Sequence, residues 1–171
     1  EAKQIEEITD GIDGVSIANY NCPGQIVITG MKAAVEVAAA NLKESGAKRV
    51  LPLNVSGPFH SQMLEEAGHQ LSKVMDTVDV MELKIPYVTN VTAEYISESM
   101  KIKELLARQI SSSVRWQQSV EKMIAEGVDT FVEIGPGKTL AGFMRKINRD
   151  VKVYNIQRVE DMEKVIAEIR S

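Results

Sequence analysis

The sequence predicts an α/β fold with a mostly parallel sheet, and three observations carry that expectation. Short apolar runs alternate with segments whose apolar residues recur at helical spacing, the pattern of a parallel sheet covered on both faces. Two of those runs, Val50–Val55 and Thr130–Ile134, pass through Gly-Pro turns into helices, and open α/β sheets place ligands at such strand ends. A hydrophobic content of 44% over 171 residues supports the core of one domain or two small ones.

Residues 2–9 carry Ile5 and Ile8 on one face and predict a short helix. Val15–Ala18 and Ile26–Thr29 flank Asn21-Cys22-Pro23-Gly24, turn chemistry that joins them as a β-hairpin. A helix over 31–44 turns Val35, Ala38, Ala39 and Leu42 inward and stops at Gly46. With a strand at 50–55, the order helix, strand, strand, helix, strand is a ferredoxin-like unit lacking its first strand. The chain opens on the helical pattern Glu-Ala-Lys-Gln-Ile-Glu-Glu-Ile without a signal peptide or an initiator methionine, and so reads as the interior of a longer protein.

From Gln62 the spacing of Met63, Ala67, Leu71, Val74 and Val78 predicts a long helix, with Met63 and Met75 filling core and Ser61 as its cap. Ile85–Thr89 is a short strand whose start Pro86 favours. Helices follow over 101–110 and 116–126. Thr130–Ile134 is the clearest buried strand. A helix with Leu140, Phe143, Met144 and Ile147 inward, a strand over 151–156, and a helix faced by Met162, Val165, Ile166 and Ile169 complete the chain.

Several chemistries are excluded by spacing or composition. Gly135-Pro136-Gly137-Lys138-Thr139 lacks the upstream glycine of a phosphate loop, since Val132 stands there, although the turn can still offer helix amides to an anion. Cys22, His60 and His69 are too few for a metal site, and a single cysteine permits no internal disulfide and agrees with a reducing cytoplasm. No apolar run is long enough to span a membrane. The net charge of −4 argues against general nucleic-acid binding. Asn54-Val55-Ser56 and Asn90-Val91-Thr92 match the glycosylation sequon by coincidence. His69, Glu6/Glu7 and Glu65/Glu66 fall on polar helix faces. The basic residues Lys43, Lys48, Arg49, Lys138, Arg145, Lys146 and Arg149 read either as solvated charges or as a docking patch for an acidic partner. The informative residue is His60, an imidazole after an apolar run and before a helix.

Four blocks, Asn21–Ile28, Val55–Ser61, Arg108-Gln109 with Val114-Arg115-Trp116, and Glu133–Leu140, together resemble the malonyl-CoA:acyl-carrier-protein transacylases of fatty-acid synthesis, in order and in approximate spacing. The resemblance implies that residues 1–54 are part of a ferredoxin-like insert. It implies that residues 55–171 are the C-terminal part of a hydrolase-like three-layer α/β domain. It further implies two-step transfer through a seryl ester, with His60 as general base and acid and the backbone carbonyl of Gln109 orienting the imidazole. Phe59 and Asn90 would border the acyl pocket. The partners implied are malonyl-CoA and acyl carrier protein in the cytoplasm, with neither nucleic acid nor membrane. The coenzyme A thioester serves as substrate and no cofactor is needed.

The family's nucleophile motif, Gly-His-Ser-x-Gly-Glu, does not occur in this sequence, Ser61 is not at its position, and neither Arg108 nor Arg115 matches the arginine that holds the malonyl carboxylate. The expectation is therefore a base without a nucleophile, inactive alone. The rivals are an acyltransferase fragment of a polyketide synthase, a non-catalytic carrier-protein docking module, and a hydrolase using the same histidine.

Overall fold

The computed structural model describes residues 1–55 and 57–170. Ser56 lies outside them, and with it part of the Val55–Ser61 block and of the first sequon. The backbone forms two compact units, Glu1–Ser119 and the residues from Val120 onward.

The first unit begins with α1 (Ala2–Asp10), β1 (Val15–Cys22), β2 (Gln25–Gly30) and α2 (Lys32–Glu44). β1 and β2 pair antiparallel, and the Cys22↔Gln25 pair leaves only Pro23 and Gly24 in the turn. Gly24 sits at φ 77°, a conformation that glycine adopts without strain. The hairpin is therefore longer than its apolar pattern suggested, because the turn chemistry lets pairing run to the last residue. α2 buries Ala34, Ala38 and Leu42, while Val35 and Ala39 are partly covered.

Residues 50–55, expected as a strand, form none. Leu51, Leu53 and Val55 are 64%, 59% and 61% exposed. An apolar run becomes a strand only by exchanging backbone hydrogen bonds with a neighbour. Among the described residues no strand pairs with this one, and Pro52 has no N–H to donate.

After a 3-10 turn at Gln62–Leu64, α3 (Glu65–Met75) packs against α4 (Ser99–Arg108). A Cβ added at Gly68 would lie 2.9 Å from the carbonyl oxygen of Ala107, so the helices meet where only glycine fits. That crossing corrects the expected inward face. Gly68 is buried and Leu64, Leu71 and Met75 are half-buried, whereas Met63, Ala67, Val74 and Val78 are exposed. Met63 is thus not core filling.

β3 (Tyr87–Val88) pairs antiparallel with β4 (Tyr95–Ile96), a strand absent from the sequence reading. Ile96, Ile102 and Leu105 form a small core with Val80, Tyr87, Val91 and Leu106 around it. The chain then returns to the hairpin, where Val114 bridges Asn19 in parallel. The division between the units falls within α5 (Trp116–Ala125).

The second unit continues with β5 (Thr130–Ile134), α6 (Thr139–Ile147), β6 (Lys152–Ile156) and α7 (Val159–Arg170). β5 and β6 are parallel and in register from Thr130↔Lys152 to Ile134↔Ile156. They are the one parallel pair of strands among the described residues, so the mostly parallel sheet is here a mixture of small sheets. β5 is also less covered than expected, with Ile134 77% exposed. α6 and α7 bury Ala141, Met144 and Val165, while Met162, Ile166 and Ile169 stay exposed.

Candidate active site

His60 stands in the turn before α3, at φ 58°. Left-handed backbone is uncommon for a residue with a side chain, and histidine is among the residues that tolerate it best. Its Nδ1 lies 3.0 Å from the carbonyl oxygen of Gln109, the residue that closes α4. A carbonyl can only accept, so in the neutral imidazole Nδ1 carries the proton and Nε2 is left free to take one. The close approach of α3 and α4 at Gly68 holds the two flanking residues in reach of each other. No charge is used to fix the ring.

Around His60 lies an open groove of about 320 Å³ lined by Ser16, Gln62, Val91, Arg108, Arg115 and the three serines 111–113. The lining contains two guanidinium groups and no carboxylate, so its field favours a neutral or anionic ligand. Arg108 extends outward to Glu104 at 3.3 Å. The Arg115 guanidinium lies 5.8 Å from the centroid of the Tyr20 ring, and its backbone N–H donates to the carbonyl of Asn90 at 2.9 Å. Tyr20 in turn donates to Glu6 at 2.8 Å, and burial together with that carboxylate pushes its phenol up to about 12.

The other sequence candidates fall into two groups. Asn90 reaches this neighbourhood through its backbone, in a turn stiffened by Thr89, whose hydroxyl oxygen accepts from the N–H of Thr92 at 3.2 Å. Phe59 is 52% exposed and does not line the groove. The Ser61 hydroxyl is buried and donates backward to the Pro58 carbonyl at 2.7 Å, so it neither caps the helix that follows nor faces the groove. His69 is exposed on α3, as its polar surroundings suggested.

Several amides of the turn at Gly135-Pro136-Gly137 and of the start of α6 are already engaged. Both oxygens of Glu133 already accept the N–H groups of Leu140 and Ala141, each at 3.0 Å, in the first turn of α6. Asn155 donates to the Gly137 carbonyl at 2.9 Å, and Gln157 accepts from the Gly137 N–H at 3.2 Å. The expected anion position is filled by the protein's own carboxylate. Among the described residues no group of His, Cys, Asp and Glu could hold a metal ion.

The family model described as acyl transferase domain matches residues 1–165. The chain belongs to that family. The chain is 44% identical over 174 aligned positions to the malonyl CoA-acyl carrier protein transacylase of Bacillus subtilis, covering 99% of the chain and 55% of that relative. The solved malonyl CoA-acyl carrier protein transacylase of Clostridium perfringens superposes with a TM-score of 0.90 at 41% identity, over 99% of the chain and 53% of that structure. A malonyl-transacylase solved in complex with a type II polyketide acyl-carrier protein superposes at 0.92 with 32% identity, over 97% of the chain and 55% of its own. The chain spans about half the length of the curated relatives it matches. Among its described residues no helix is long and apolar enough to cross a membrane.

Sequence reasoning missed the serines 111–113, Ser16 and Gln62 as neighbours of His60. The serine run between two helical patterns was the available signal, but three adjacent small polar residues equally describe a solvated loop.

Proposed function

We propose that this chain is the histidine-bearing, C-terminal part of a malonyl-CoA:acyl-carrier-protein transacylase, and that its groove completes a catalytic site with a serine supplied by the rest of that enzyme. The hydrogen bond from His60 Nδ1 to the Gln109 carbonyl carries the reading, because it leaves Nε2 as a base in the neutral ring. His60 takes the proton of the serine hydroxyl as that oxygen attacks the malonyl thioester carbon, and the imidazolium returns it to the departing coenzyme A sulfur. In the second half the carrier-protein thiol gives its proton to His60 and attacks the seryl ester, and the serine oxygen recovers the proton on leaving. The coenzyme A thioester enters as substrate, and the scheme uses no separate cofactor.

The same reading gives residues 1–54 the role of a ferredoxin-like insert and residues 55–171 that of part of a hydrolase-like α/β domain. Exposed Leu51, Leu53 and Val55 support it, since a further strand laid against them would bury that apolar run. Phe59 and Asn90 would then border the acyl pocket. Carrier protein as acyl acceptor is supported by the relative solved with one, and a cytoplasmic location follows from that role.

The test is intact mass of this chain after exposure to malonyl-CoA, alone and with the nucleophile-bearing half of the enzyme. The expected result is no malonyl adduct on this chain and a seryl adduct on the other half that transfers to carrier protein. A stable adduct on this chain would overturn the reading.

A further inference from the structure

The segment that carries the Gln109 carbonyl is tied down at both ends. At one end the N–H of Gln109 donates to Leu105 at 3.0 Å, continuing α4. At the other, the Ser113 hydroxyl donates to the Ile17 carbonyl, the Val114 N–H to Ala18 at 2.7 Å, and the Tyr20 N–H to Val114 at 2.9 Å. Arg115 adds its N–H to the Asn90 carbonyl and its guanidinium over the Tyr20 ring. Tyr20 is itself fixed by Glu6 on α1. Only Ile110, Ser111 and Ser112 separate the two ends, a stretch too short to absorb movement at Val114 without passing some of it to Gln109.

We propose that strand β1 clamps the segment 109–115 and that Ser113 is a positioning residue for His60, acting through the Gln109 carbonyl. A hydrogen bond weakens steeply once its angle or distance departs from the optimum, so the carbonyl must be held to sub-ångström tolerance to keep the proton on Nδ1. The left-handed backbone of His60 sharpens the need, because such a conformation persists only when its surroundings over-determine it. The hairpin, distant in sequence, thereby sets the tautomer of the base. The clamp rests on the proposed function only for what His60 does next; the imidazole geometry can be read without any acyl transfer.

The experiment is imidazole ¹⁵N NMR on this chain, where His69, exposed on α3, serves as an internal reference and is the only other histidine. Wild type is expected to show His60 in the Nδ1-protonated form. Ser113→Ala should mix the tautomers and speed Nδ1–H exchange about tenfold, as loss of one hydrogen bond implies. Ser113→Thr should restore the wild-type signal, and Val114→Pro, which removes the N–H bonded to Ala18, should act more strongly. Unchanged His60 signals in Ser113→Ala would overturn the proposal, as would unchanged signals in folded Val114→Pro. If Val114→Pro does not fold, the contrast between Ser113→Ala and Ser113→Thr decides. A clamp effect on the imidazole combined with undiminished acyl transfer by His60→Ala in the reassembled enzyme would overturn the proposed function and leave the clamp standing. Wild-type signals in Ser113→Ala, with activity lost in His60→Ala, would do the reverse.

Discussion

Two turns in this molecule share a sequence grammar and differ in what their polar groups are left to do. Gly57-Pro58-Phe59-His60 and Gly135-Pro136-Gly137-Lys138 each lead through Gly-Pro into a helical segment, and each contains left-handed backbone, at His60 (φ 58°) and at Gly137 (φ 88°). In the second turn Glu133, Asn155 and Gln157 occupy the turn and the first amides of α6. In the first, Gln109 occupies one nitrogen of the imidazole, and among the described residues none takes the other. A site is the place where the fold leaves one strong polar group unspent. The same motif with its turn tied to Glu133, Asn155 and Gln157 is a joint.

Removing the unspent group should produce the largest effect. In the reassembled enzyme His60→Ala is expected to lower acyl transfer roughly a hundred- to ten-thousand-fold, the span of general acid–base contributions, measured as carrier-protein malonylation. His60→Gly should be equally inactive yet more stable to unfolding than His60→Ala by about 1 kcal/mol, because glycine adopts left-handed backbone without a Cβ clash. If His60→Ala is the more stable of the two, the turn is not strained and the contrast with Gly137 loses its backbone half.

The scaffold under the first turn comes next. Gly68→Ala would press a Cβ to 2.9 Å from the Ala107 carbonyl, and the resulting separation of α3 from α4 is expected to cost about 1 to 3 kcal/mol in urea unfolding. Because those helices carry His60 and Gln109 at their ends, the same substitution should disturb the imidazole hydrogen bond.

Local grammar was legible in the sequence and long-range partnership was not. The hairpin could be read because Pro23-Gly24 and the flanking runs specify it within a few residues. The run 50–55 was misread because being a strand depends on a neighbour the run cannot name. The face of α3 was misread because a single glycine, Gly68, decides which stripe meets α4. His60 drew notice by its place after an apolar run, but its pairing with Gln109, 49 residues away, came from family resemblance rather than from spacing. The bond from Ser113 to Ile17 spans 96 residues and left no trace in any pattern. The closure of the second turn by Glu133 was open to inspection, since its partners lie 7 and 8 residues on, yet a glutamate inside an apolar strand invites no capping rule.

Glu133→Gln tests the joint itself. A neutral amide keeps one acceptor for Leu140 or Ala141 and gives up the other charge-assisted bond, so a loss of about 1 to 2 kcal/mol is expected, with acyl transfer by the reassembled enzyme unchanged. Loss of activity at unchanged stability would mean that this turn is part of the site and that the two turns do not divide as argued.

The smallest effect should come from a third helix entry that is closed in the same way. Asp161, in the first turn of α7, accepts the backbone N–H groups of Gln157 and Arg158 at 3.1 and 3.0 Å, the reaching-back half of a capping box. Those two bonds favour the ionised carboxylate and hold it below its usual value of 3.8. A lowered folded-state value means that the unfolded chain binds protons first as pH falls. The stabilisation is therefore whole above about pH 4, the unfolded carboxylate range, and is lost as pH drops through the lower folded value. Amide shifts of Gln157 and Arg158 should stay constant down to that range and then move together with the Asp161 carboxyl carbon, while Asp161→Asn should remove the transition. If the two amides titrate at the ordinary aspartate value, the cap is too weak to close the entry. The rule that closed turns are structural would then rest on Glu133 alone.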